Sequence, residues 1–224
     1  MTTTDNVLYH EAENEMISGD FDLGKNEYLQ LRKKQYHKLI SLLNVLRKEE
    51  FKKAPYPSAR GYLNKTIVHL LWTISRTEDI IVQSLIKEEE RIFFAEGFDS
   101  AIGADIITTG DEIKGKNSSA FSKPLNIDDL YRYLKMVYYS TNRYIQMLER
   151  EELFEKFTME DRNRLKNLHV VADDPSARWL IGFWCSQNLM ALLRVPLGRQ
   201  WNAAADACFK IKMKLLKERC NQPY

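Results

Sequence analysis

The sequence predicts an all-α protein, and three observations support that fold class. Apolar residues recur at spacings of three and four through most of the 224 residues. No segment shows the alternating pattern of a strand, and there is no internal repeat. With 44% hydrophobic and 29% charged residues, the composition is typical of a soluble globular domain. We therefore expect a helical bundle.

The first 24 residues form an acidic segment with six Asp and Glu residues and no Lys or Arg. This composition does not fit a secretory or transit peptide. We interpret residues 1–24 as an acidic N-terminal arm and residues 25–224 as one helical domain. No stretch of 18 uncharged apolar residues occurs, so we expect a cytoplasmic protein that does not cross a membrane. Three cysteines without C-x-x-C spacing fit structural thiols.

Two helices are predicted before the glycine-rich part of the chain. The first covers about 26–50, where leucines and other apolar residues alternate with lysines on the opposite faces. Pro55, Pro57 and Gly61 then break the helical pattern. The second helix covers about 63–90, with Asn64 as its predicted N-cap.

Residues 91–124 are predicted to be a long crossover with about one helical turn. They hold four of the nine glycines, and a connection of this length is usually functional or mobile. The third helix is predicted to start at Asn126, an N-cap followed by Asp128 and Asp129 in the first turn.

The remaining chain contains start and stop signals for three more helices. Thr158 and Asp161 predict a capping box for a short helix at about 159–168. Asp174 and the proline after it predict the start of a largely buried helix over 175–194. Pro196 and Gly198 are predicted to interrupt it before a last helix at about 199–219.

Histidine is scarce, and no two of the four histidines share a helical face at the i, i+4 spacing of a metal site. His69 is followed by Thr73 and Arg76 on one side of its helix. It is either a core histidine that is hydrogen-bonded to a neighbour or a metal ligand. No P-loop, G-x-S-x-G or G-x-G-x-x-G motif occurs. The net charge of +2 and the solvated late lysines give no indication of nucleic-acid binding.

The stretch VHLLWTISRTEDI resembles the second-helix signature of DinB-like (YfiT-like) proteins. Three further stretches resemble the same family, in the same order: TTGDEI at 108–113, DDLYRYLKMV in the third helix and LLRVPLGRQWNAAADACFKIKMKL near the end. The resemblance covers most of residues 25–217. It implies a four-helix bundle with a long crossover between the second and third helices, to which this chain adds a late helix. It also implies a divalent metal held by three histidines, and several such relatives are thiol-dependent transferases or isomerases.

This chain departs from the family at all three ligand positions. The matching residues are Thr73, Gln200 and Ala204, which offer a hydroxyl, an amide and a methyl group instead of imidazoles. We therefore expect no metal and no other cofactor. In another register His69 is retained as a ligand, but one histidine cannot form a three-ligand site. Separately, Cys208, four residues after Ala204, would be a compensating thiolate.

Under the family's packing, six residues would line a small-molecule pocket near one end of the bundle: His69, Trp72, Thr73, Arg76, Gln200 and Trp201. Alternatively, the aromatic residues among them only fill space. The first hypothesis is a protein that binds a small molecule or a partner without catalysis. The second is a thiol transferase that uses nickel, zinc or iron through His69. The third is a structural homodimer that pairs through the helix at 175–194.

Overall fold

The computed structural model describes residues 3–221, and it confirms the all-α class. Outside the helices, the described residues contain one isolated β-bridge, between Lys156 and Asn188. The α-helices are α1 (Thr3–Ser18), α2 (Phe21–Ile40), α3 (Ile67–Asp79), α4 (Ile92–Ala95), α5 (Phe98–Ala101), α6 (Ser118–Ser122), α7 (Ile127–Met147), α8 (Met159–Asn167), α9 (Trp179–Cys185), α10 (Leu189–Arg194) and α11 (Gln200–Cys220). None of the helices in this part of the chain is long and apolar enough to cross a membrane.

The long helices α2, α3, α7 and α11 pack against one another, and α1 packs along α2. Their buried apolar side chains form two clusters. One lies among α3, α7, α11 and the segment that connects α3 to α7. The other lies among α1, the end of α7 and helices α8 to α10.

The segment predicted as an acidic arm is instead largely helical and belongs to the packed fold. Tyr9, Ala12 and Met16 on α1 are completely buried. Charged residues of the same helix are paired with other elements, since Asp5 lies 2.6 Å from Lys34. The acidic composition concealed these apolar residues, although they follow at helical spacings of three and four. Residues 1 and 2 of the predicted arm lie outside the described part of the chain.

Close approach of α1 and α2 depends on Gly24. A Cβ atom at this position would lie 2.6 Å from both the Ala12 carbonyl oxygen and the Met16 amide nitrogen. Gly24→Ala is therefore expected to lower the free energy of unfolding by about 1–3 kcal/mol, because the two backbones must separate. Urea unfolding measures this. Leu23→Ala is the control, because Leu23 is exposed; an equal loss in both variants would contradict the proposed steric cause.

Two of the predicted helices end or begin elsewhere. The first stops at Ile40, and 3₁₀ turns at Ser41–Asn44 and Lys48–Lys52 replace its second half. The N-cap of α3 is Thr66, not Asn64, because the Thr66 side chain accepts a hydrogen bond of 3.0 Å from the His69 amide. After α3 the chain continues as a π-helical segment, Ile80–Ile86.

The crossover contains more helix than the single turn that the sequence predicts, since α4, α5 and α6 all lie within residues 91–124. The predicted cap of the third helix is confirmed, because Asn126 accepts hydrogen bonds from the amides of Asp128 and Asp129. The capping box of Thr158 and Asp161 is confirmed as well.

The helix predicted over 175–194 is two helices, α9 and α10, because Asn188 ends the interruption as a new N-cap. Pro196 and Gly198 do not interrupt the helical conformation, contrary to the prediction. They lie in a π-helical segment, Val195–Arg199, that leads into α11. Its first turn tolerates a proline without an amide hydrogen, and a Cβ at Gly198 would lie 2.9 Å from the Leu193 carbonyl oxygen. Pairing of two copies through residues 175–194, which contain both α9 and α10, stays a prediction.

Candidate functional site

One face of α3 fastens the crossover to the rest of the protein. His69, Trp72, Arg76 and Asp79 follow at spacings of three and four, which places them along one side of a helix. Each of them bonds to crossover backbone. The bonds to carbonyl oxygens are His69 Nε2 to Gly110 (3.0 Å), Trp72 Nε1 to Thr108 (3.1 Å) and Arg76 Nη2 to Ile107 (2.5 Å). This part of the motif therefore has a structural task.

The His69 imidazole is completely buried, and both of its nitrogens have partners. In the tautomer that carries its proton on Nε2, this nitrogen donates to the Gly110 carbonyl oxygen at 3.0 Å, and Nδ1 accepts from the Ser118 hydroxyl, 2.9 Å away. Lys65 Nζ lies 3.2 Å from the same Nε2. Burial, with the Lys65 charge, lowers the pKa of His69 to about 3. The ring is therefore neutral and has no free lone pair for a metal.

The lowered pKa of His69 predicts a specific loss of stability in acid. Its folded pKa of about 3 lies below the unfolded value, so the unfolded chain binds the proton more readily between them. The contribution of His69 is complete above about pH 6.5 and decreases as pH falls toward 3, by up to about 1.4 kcal/mol per pH unit. Urea unfolding at a series of pH values should show this slope in the wild type and a smaller one in His69→Gln.

The matched control for this pH series is His37→Gln, because His37 is exposed and stands on another helix. Buried Glu78 and Asp79 have raised pKa values because of desolvation, and they act in the opposite direction. For that reason only the difference between variants is informative. Parallel pH profiles for the wild type and His69→Gln would contradict the prediction.

Asp79 closes the face of α3 with a buried network. Both Arg76 and Asp79 are fully buried, and Arg76 Nη1 lies 3.2 Å from Asp79 Oδ2, which makes an ion pair within the helix. Tyr133 donates to the same carboxylate oxygen at 2.7 Å. The amides of Ile92 and Phe93 donate to the two Asp79 oxygens at 2.9 and 3.1 Å. The carboxylate thus holds the first turn of the crossover.

A second polar group lies on the other side of α3 and centres on Arg32 of α2. Arg32 Nη2 lies 2.7 Å from Glu78 Oε1, and both side chains are almost completely buried. The same guanidinium donates to the Asn142 side chain at 2.8 Å and to the Leu197 carbonyl at 2.6 Å. Its carbon lies 5.3 Å from the centre of the Trp201 ring. We use the name polar layer for the residues around this ion pair: Arg32, Glu78, Thr141, Asn142, Trp201 and Asn202. On α2, α3 and α7, these residues lie between the two apolar clusters.

The polar layer contains buried atoms without a well-formed hydrogen bond. They include Glu78 Oε2, Thr141 Oγ1 and Trp201 Nε1. Burial raises the pKa of Glu78 most strongly, while the Arg32 charge and weak hydrogen bonds from the Thr141 and Trp201 side chains to the carboxyl lower it. Most buried polar atoms in proteins are paired, so this concentration marks a candidate binding site. Asn202, the next residue of α11, has a fully buried amide that also lacks a partner among residues 3–221.

The residues at the family's metal positions do not fit a divalent transition metal. Thr73 and Ala204 are buried and Gln200 is half-buried, and none of them supplies an imidazole, thiolate or carboxylate. Burial raises the pKa of the Cys208 thiol, which disfavours the thiolate that a metal needs. Within residues 3–221, no three His, Cys, Asp or Glu side chains are grouped so that they could hold an ion.

The structure divides the predicted pocket between two places. His69, Trp72 and Arg76 bind the crossover, while Trp201 lies against Arg32 in the polar layer. Thr73 is about 140° around α3 from Glu78, because five residues separate them on the helix. His69, Trp72 and Arg76 are thus engaged apart from Trp201, and a pocket lined by all six residues stays a prediction.

Sequence reasoning missed Arg32, Glu78 as its partner, and Thr141. A signal for Arg32 was present, since it lies three residues after Leu29 and four before Tyr36 in the apolar stripe of its helix. A charged residue in such a stripe is rarely buried unless it is paired.

Comparison with protein-family models and with curated proteins finds no match for this chain. The resemblance to the DinB-like family rests on the order of its sequence motifs alone.

Proposed function

We propose that this protein is a divergent DinB-like four-helix bundle without the family's metal site, which binds a small molecule in the polar layer and does not catalyse a reaction. The observation that carries the proposal is the group of buried polar atoms on Glu78, Thr141, Trp201 and Asn202 that lack a well-formed hydrogen bond within residues 3–221. The four motifs, which lie in the family's order, support the fold assignment. The donor set at Thr73, Gln200 and Ala204 supports the absence of the metal.

The unpaired atoms define the chemistry of the ligand. Glu78 Oε2 accepts when ionised, Trp201 Nε1 only donates, and Thr141 Oγ1 does both. A ligand that replaces the weak contacts of Thr141 and Trp201 with Glu78 presents a donor to Glu78 and an acceptor to Trp201, as a small amide or hydroxy compound does. Arg32 already balances the charge of Glu78, so a charged ligand would add an unpaired buried charge, which is costly.

Native mass spectrometry of untagged protein, desalted into a volatile buffer without chelator, tests the proposal. We expect a mass excess from a bound small molecule that is released on denaturation, and no stoichiometric nickel, zinc or iron by elemental analysis. Thr141→Val and Trp201→Phe should reduce the bound fraction, because each removes one polar partner with little change of shape.

The control variant is Trp179→Phe, which removes an indole that is 55% exposed and bonded to the Ser176 carbonyl. It should retain the bound molecule. Stoichiometric metal would overturn the proposal, and so would a bound fraction that is the same in all variants. Protein that carries no small molecule in any preparation would count against the polar layer as a binding site.

A further inference from the structure

A basic surface cavity lies between α8, the loop after it and α9, apart from the polar layer. Its volume is about 270 Å³, and its lining combines apolar groups with basic side chains. The basic residues are Arg162, Lys166, His169 and Arg178. Asp173 is the single acidic residue that lines it. Such an excess of one charge in a concave site raises the local concentration of the opposite ion.

The cations of this cavity have no acidic partner within the described residues. Arg162, Lys166 and Arg178 have no carboxylate oxygen within 4 Å there, in contrast to Arg164 on the same helix. Arg164 lies against Asp161 and Glu88 and also donates to backbone carbonyls of the preceding π-helical segment. On α8, Arg164 thus has a structural role, whereas Arg162 has no acidic partner among the described residues.

Arg162 packs against α9, although it has no carboxylate partner among the described residues. Its Nε atom is buried and has no hydrogen-bond partner in the described residues. Its guanidinium lies over Gly182 of α9, where a Cβ atom would be 3.4 Å from Nη2. A planar fork with free donors, fixed against a helix, is suited to bidentate recognition of an oxyanion.

We propose that this cavity binds a phosphate group, either as free phosphate or as the end of a small phosphomonoester. Arg162 and Arg178 provide guanidinium donors, and Lys166 and His169 extend the basic lining. A tetrahedral oxyanion with several acceptor oxygens can use more than one of these donors at once. The cavity is slightly smaller than the roughly 300–1,000 Å³ of sites for drug-sized ligands, so a small anion fits better than a nucleotide. This inference is independent of the ligand proposed for the polar layer.

Isothermal titration of the full-length chain at low ionic strength tests the proposal, with inorganic phosphate in one arm and glycerol phosphate in the other. We expect saturable 1:1 binding in at least one arm, and the tighter arm identifies the source of the phosphate group. Arg162→Gln and Arg178→Gln should each weaken binding about tenfold or more, because each removes charged hydrogen bonds. Arg162→Lys should also weaken it, because an ammonium lacks the fork.

Lys210→Gln is the matched control, since it removes one charge from an exposed site on α11 and should leave the affinity unchanged. All substituted residues are partly or fully exposed, and thermal melts will show whether each variant is folded. Absence of saturable binding in both arms overturns the proposal. Equal weakening by Lys210→Gln and Arg162→Gln also overturns it, because attraction would then come from overall charge.

Discussion

Replacing Arg32 with methionine is expected to lower the free energy of unfolding by about 3–5 kcal/mol. The substitution keeps much of the apolar stem but leaves the completely buried carboxylate of Glu78 without its cation. The donors to Asn142 and the Leu197 carbonyl are lost at the same time. For a chain of this size the loss corresponds to a fall in Tm of roughly 6–20 °C, which thermal unfolding followed by circular dichroism can measure.

The second variant in this experiment removes both charges. Arg32→Met combined with Glu78→Leu should recover most of the stability, because no unpaired buried charge remains. Arg132→Met is the surface control; its ion pair with Asp129 is exposed on the arginine side and should contribute less than about 1 kcal/mol. A loss in Arg32→Met no larger than that of the control would show that Glu78 is not held as a buried ion.

Local sequence signals predicted much of the fold correctly. Asn126 and Thr158 cap their helices as expected, because a cap depends only on a side chain and the amides two or three residues later. The all-α class follows from periodicity for the same local reason. Here the residues that decide the structure are neighbours in sequence.

Features that depend on tertiary contacts were not predictable in the same way. The acidic composition of α1 gave no sign that Tyr9 and Met16 are buried, because their partners come from distant helices. Pro196 predicts a break, yet the π-helical geometry accommodates it. Packing thus outweighed the composition of α1, and the backbone geometry of the π-helical segment outweighed the usual effect of a proline.

In the candidate site, too, local features were predictable from the sequence and tertiary contacts were not. The motif around His69 was located correctly, and one of its two interpretations, a hydrogen-bonded core histidine, agrees with the structure. What could not be predicted is the partner of each residue. Arg32 and Glu78 are 46 residues apart, and only the packing of α2 against the other long helices brings them together.

Replacing Asp79 with alanine is expected to detach the start of the crossover and to cost about 3–5 kcal/mol of stability. Arg76 would stay fully buried without its carboxylate, and the amides of Ile92 and Phe93 would lose their acceptors. Hydrogen exchange followed by mass spectrometry should show faster exchange in peptides that contain these two amides. Because Tyr133 also bonds to Asp79, its hydroxyl would lose its acceptor too.

Asp99→Ala provides the matched control for this exchange experiment, because Asp99 is an exposed carboxylate within the crossover itself. It should change stability by about 0.5 kcal/mol or less and leave the exchange of Ile92 and Phe93 slow. If Asp79→Ala lowers stability without faster exchange there, the carboxylate acts on Arg76 alone and does not anchor the crossover. If exchange rises at both ends of the crossover, including residues 107–110, the bonds from His69, Trp72 and Arg76 depend on Asp79, and the face of α3 acts as one cooperative clamp.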